Sequence, residues 1–186
     1  MPNQKADDAI DLFIAEWTRE RPDLDFEYLA TLGRILRISA HLRERMDAWL
    51  EPFGLTWEMF DLLASLKRSG ASEGLRPTDL YRACMLSSGA TTNRIDRAEV
   101  AGNVERKPDA KDGRATRIAL TKKGKMLADR AMTQHSTEAT VIADVLSASE
   151  RRQLAQLLRK LLGSIEGKRE QDSRCDSPTA RLANAS

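Results

Sequence analysis

The sequence predicts a mostly α-helical chain that carries one β-hairpin. Three observations lead there. The 186 residues include only 10 glycines, 6 prolines and 5% aromatics, too few turn and strand formers for an all-β chain. Apolar side chains recur at three- and four-residue spacing over most of the length. That period gives way to alternation in one stretch only, following Asn103.

Each element has its own warrant. Ile10, Phe13, Ile14 and Trp17 form one stripe on a helix over residues 7–20, which Arg21-Pro22-Asp23 breaks because proline disfavours helix in the residue before it. Residues 26–51 repeat the pattern through Tyr28, Leu32, Ile35, Leu36, Leu42, Met46, Trp49 and Leu50, ending before Pro52, and the chain turns at Gly54. Thr56 stands as N-cap of a helix that carries Phe60, Leu63, Ala64 and Leu66 to Gly70. Residues 71–75 read as a loop. Pro77 then occupies a first helical position, with Asp79 in the first turn, and this short helix ends near Leu86. Ser87 or Ser88 caps a helix from Gly89 to Ala101, and Gly102 stops it.

The alternating stretch follows. Val104 to Lys107 alternates weakly, Pro108 to Gly113 is a turn-rich charged tip, and Thr116, Ile118 and Leu120 share one face, which together predict a hairpin. Thr121 caps a helix to about Leu146. Ser147-x-x-Glu150 is a capping box opening a last helix, whose face is Leu154, Leu157, Leu158, Leu161, Leu162 and Ile165. From Gly167 the chain is polar and aperiodic, and disorder is expected. A short helix, a tight turn, a second helix and a hairpin make a winged helix-turn-helix arrangement.

Composition narrows the function classes. No apolar run approaches the ~18–20 residues that span a bilayer, and the acidic start MPNQKADDAIDL is not a signal peptide. Cys84 and Cys175 make no disulfide framework, so a reduced, cytoplasmic protein is expected. His41 and His135 fit no metal spacing and read as polar surface or interface residues; no phosphate-binding, dinucleotide or nucleophile-elbow motif is present, and no cofactor is expected. An enzyme using Asp61 or His41 as base lacks a clustered acid, base and nucleophile.

The formal net charge of +2 hides two poles. Residues 1–30 hold three basic and eight acidic side chains, whereas residues 87–125 hold ten basic and five acidic. The basic pole coincides with the second helix of the helix-turn-helix and the hairpin, where phosphate contacts belong.

The run Leu86-Ser87-Ser88-Gly89-Ala90-Thr91-Thr92-Asn93-Arg94-Ile95-Asp96-Arg97, then Ala101-Gly102, Val104-Glu105-Arg106, and Asp112-Gly113-Arg114 leading to Leu120-Thr121-Lys122-Lys123-Gly124, resembles the multiple antibiotic resistance regulator (MarR) family over about residues 26–166. The resemblance implies a homodimeric transcriptional regulator, commonly a repressor, that presents two winged helix-turn-helix lobes to pseudo-palindromic double-stranded operator DNA. It divides the chain into an added N-terminal helix (1–25), dimerisation helices (26–52 and 122–166), a winged helix-turn-helix lobe (53–121) and a disordered tail (167–186). Ser87, Ser88, Thr91, Thr92 and Asn93 are short hydrogen-bonding side chains near a helix N-terminus, suited to base edges and phosphates. One of the two serines is expected to serve only as N-cap. Arg94 belongs to the same helix, and Arg97 reaches phosphate or guanine. Lys107 and Lys111 are expected phosphate partners. Arg114 is the wing arginine for the minor groove, with Asp112 as its structural orienter. Ala98 and Asn103 stand where the family usually has larger apolar residues, and a looser junction between helix and wing is expected there.

The added helix, Trp17, the 21–25 stretch and Phe60-Asp61 resemble the urate-responsive subgroup, whose ligand residues fall here on Trp17, Asp61, Arg94 and Arg106. An indole face and guanidinium groups suit a small planar anion such as urate or an aromatic acid. The resemblance also suggests that Asp61 pairs with an arginine until the anion competes for it. The rival switch is oxidation of Cys84, which requires a thiolate stabilised by a cation such as Arg82.

Overall fold

The computed structural model of the protein describes residues 7–84 and 91–175, with Thr91 and residues 168–175 as backbone alone. The described elements are α1 (Ala9–Glu20), α2 (Tyr28–Leu50), α3 (Trp57–Arg68), α4 (Pro77–Ala83), α5 (Thr91–Val100), β1 (Val104–Asp109), β2 (Asp112–Leu120), α6 (Lys122–Ala143) and α7 (Ala148–Cys175). The chain divides into two compact units, residues 1–136 and 137–186.

In the first unit, Asp8 caps α1 by accepting from the backbone of Ile10 and Asp11, while the Asp11 carboxylate accepts from the Asp8 backbone. Both carboxylates also take the guanidinium of Arg34 on α2, at 2.8 and 2.6 Å, which ties the added helix to its neighbour. Those hydrogen bonds hold both carboxyls below their usual range. A short 3-10 turn (Glu51–Phe53) follows α2, and Thr56 accepts from the Met59 backbone to open α3. The core joins Leu50, Phe60, Leu62 and Leu63 to Leu80, Ile95, Val104 and Ile118, with Ala128 and Ala131 of α6 against it. Each fully buried Leu, Ile or Phe in such a core contributes about 1.5–3 kcal/mol.

The hairpin pairs Val104 with Leu120 and Lys107 with Arg117, and its register shifts between Pro108 and Asp109. Leu75, expected in a loop, adds a bridge to the free edge of β2, exchanging backbone hydrogen bonds with Ile118 at 3.0 and 2.8 Å. A single bridged residue has no period to read.

Four further expectations change. The α4 helix ends at Ala83 rather than near Leu86, with Cys84 already extended. Ala98 and Asn103 do not loosen the junction: both are buried, and the Asn103 amide donates to the Ala98 carbonyl at 2.9 Å. His135, expected at the surface or an interface, is half-buried: its ring lies against Trp49, Trp57 and Phe60 at 5.3–6.0 Å, and burial pushes its imidazole down. In the second unit α7 continues past Gly167 to Cys175. Lys168, Arg169, Glu170 and Gln171 are good helix formers, and one internal glycine costs only about 1 kcal/mol. The predicted capping box forms, with Ser147 Oγ accepting from the Glu150 backbone and the Glu150 carboxylate accepting from the Ser147 backbone. No described helix is long and apolar enough to cross a membrane.

Candidate nucleic-acid interface and ligand site

Helical period sorts the faces of α5. Ile95 and Ala98 point into the core, so Thr92, Asn93 and Arg97 are left exposed together, with Arg94 half-buried at the edge. Ser87 and Ser88 lie outside the described residues, and Thr91 contributes backbone only. The exposed set is what base-edge and phosphate contacts require: short donors and acceptors with a guanidinium one turn on.

The wing is built around a carboxylate that sequence reading left unassigned. Asp109, only 2% exposed, accepts from the Lys111 backbone at 2.9 Å, Arg76 Nε at 2.8 Å and Arg117 Nε at 3.0 Å. The Lys111 amide and the Arg76 guanidinium bring its carboxyl from 3.8 down to about 2. A lowered carboxyl stabilises the fold above its unfolded value, and that contribution is lost as pH falls through the folded one. The wing is therefore expected to loosen between 3.8 and about 2. Hydrogen exchange at hairpin amides should show it, and Asp109→Asn should exchange faster at neutral pH and lose this acid dependence.

This support leaves the tip residues outward. Lys111 and Arg114 are exposed. Asp112 Oδ1 accepts from the Arg114 backbone at 3.2 Å, and its other oxygen lies 3.9 Å from Arg76. Asp112 thus orders the turn that carries Arg114. Lys107 pairs with Glu105 of its own strand at 2.9 Å, which offsets its charge. The pair Arg76–Asp109 spans 33 residues, and no local spacing announces it.

The four candidate ligand residues have distinct surroundings. Trp17, 51% exposed, stacks its ring on Phe26 at 5.7 Å. Asp61 is 5% exposed on α3. Arg94 lies within electrostatic range of Glu58 and of Cys84, whose thiol also feels Asp61. Arg106 is clamped by two carboxylates of α5, Asp96 and Glu99. Arg106 is thus on β1, and both of these partners are on α5. Burial and Asp61 push the Cys84 thiol up, opposite to what a reactive thiolate needs.

Residues 53–115 match the MarR family. The HTH-type transcriptional regulator PecS of Dickeya dadantii is 33% identical over 153 residues, covering 82% of this chain and 90% of PecS. The HTH-type transcriptional repressor Rv2887 of Mycobacterium tuberculosis is 34% identical, covering 71% of this chain and 94% of the repressor. Among solved structures, MepR of S. aureus in complex with DNA superposes with a TM-score of 0.65 at 26% identity, over 76% of this chain and 98% of MepR.

Proposed function

The chain belongs to the MarR family of transcriptional regulators, and on that premise we propose that it is a cytoplasmic homodimeric repressor that releases a pseudo-palindromic operator when a small planar anion binds. The observation that carries the DNA half is the joint presentation of the α5 polar face and the Asp109-braced wing tip. Thr92, Asn93, Arg94 and Arg97 enter the major groove, and the proposal includes Ser87, Ser88 and Thr91, which precede them in sequence. Arg114 enters the minor groove, and Lys107 and Lys111 meet phosphate. The half-exposed Leu157, Leu162 and Ile165 of α7 support pairing with a second copy.

The ligand half rests on Arg106. Its two carboxylate partners lie on α5, the recognition helix, so an anion that takes the guanidinium removes these side-chain ties between β1 and α5. Trp17 offers a stacking face for a urate-like or aromatic acid, and Asp61 and Arg94 complete the set. Titrating urate, other purines and aromatic acids against operator gel shifts and tryptophan fluorescence tests this. We expect at least one anion to release DNA, and Arg106→Ala to need about tenfold more of it, a loss typical of one charge-assisted contact. Intact operator binding with no response to any anion removes the ligand half.

A further inference from the structure

A cavity lined by none of those four residues opens where the C-terminal end of α5 meets the first turns of α6, with a volume of about 640 Å³. Its apolar wall is Phe53, Met126 and Leu127, its rim carries Lys123 and Arg130, and among the described residues none that lines it is acidic. The Arg130 guanidinium sits 5.6 Å from the Phe53 ring centre, so a cation already borders the apolar surface. The second observation is Asn103. This lining residue is only 5% exposed, and among the described residues its Oδ1 has no hydrogen-bond partner. The backbone around it is fully used, for the Asn103 carbonyl takes both the amide and the hydroxyl of Thr121. A buried acceptor left open in this way is satisfied once a bound molecule brings a donor to it.

We propose that this cavity binds a small amphipathic anion: a carboxylate on a flat apolar body, with an N–H or O–H donor at the far end. The carboxylate meets Lys123 and Arg130, the body lies against Phe53 and Met126, and the donor reaches Asn103. Occupancy bears on DNA binding through Lys123, whose Nζ now donates to the Ala101 carbonyl at 2.6 Å, just past the end of the recognition helix. A carboxylate that takes Lys123 removes that tie.

The test is calorimetric titration of the full chain with indole-3-acetate, whose N–H lies across the ring system from its carboxylate. It is run on wild type and on Trp17→Ala, which silences the ligand site proposed above. Saturable binding of one molecule per chain should survive Trp17→Ala. It should weaken at least about tenfold in Asn103→Leu and in Lys123→Met, and 1-methylindole-3-acetate, lacking the N–H, should bind correspondingly worse. Lys123 is an exposed side chain, so that variant keeps its fold and decides the matter if Asn103→Leu melts early. No binding by wild type overturns the proposal. So does binding that Trp17→Ala abolishes, or binding that Lys123→Met leaves unchanged.

Discussion

Replacing Arg114 with alanine is expected to weaken operator binding at least tenfold at fixed salt, or about 1.4 kcal/mol. The side chain stands exposed at the wing tip, and its backbone amide is held by Asp112. Asp112 is in turn near Arg76, which also braces Asp109. The tip is therefore ordered before DNA arrives, and little entropy is lost on docking. A guanidinium in a narrow minor groove gains from the enhanced negative potential there. Arg114→Lys should recover only part of the affinity, because an ammonium is more strongly hydrated. Thermal melting should be unchanged in both variants, since the removed atoms lie outside the core. Gel-shift titration at one salt concentration checks the result.

Gly124→Ala is expected to destabilise the fold by roughly 3 kcal/mol, near the upper end of the usual overpacking cost. A Cβ at this position would run into the Asn103 carbonyl oxygen and stand 2.8 Å from its carbon. Those are backbone atoms, held by Thr121 on one side and by the Ala98 hydrogen bond on the other, so they have nowhere to retreat. At this chain length the loss corresponds to a fall in Tm of about 6–12 °C by calorimetry. The physical reason for glycine four residues beyond Leu120 is thus the close passage of α6 over the turn that ends the recognition helix. An unchanged Tm would mean that α6 does not approach the turn this closely.

Much of this was legible in the sequence because it is local. The stripe of α1, the Thr56 cap, the Ser147–Glu150 box and the alternation of Thr116, Ile118 and Leu120 each depend on spacings of two to four residues. The polar residues of α5 came from the resemblance, and the fold places Ile95 and Ala98 inward behind them. What escaped depends on tertiary distance. Asp109 read as one more charge of a loose tip, yet it is the buried anchor of the wing through Arg76 and Arg117. His135 had no local partner to announce it, and its surroundings come from α2 and α3. The clamp on Arg106 joins β1 to α5 across a turn, and only the folded register shows that Asp96 and Glu99 reach it together. The opposite charge of residues 1–30 and 87–125 was readable at once, and it explains how a chain of net charge +2 can concentrate positive charge where DNA would lie.

The most direct measurement is a gel-shift titration against the DNA flanking the protein's own gene, repeated over a range of salt concentrations, with a random duplex of equal length as competitor. The account predicts a retarded complex that withstands the random duplex. Its log affinity should fall linearly with log salt, and Arg114→Ala should shift the midpoint at least tenfold. Equal affinity for both duplexes, with no effect of Arg114→Ala, would contradict it.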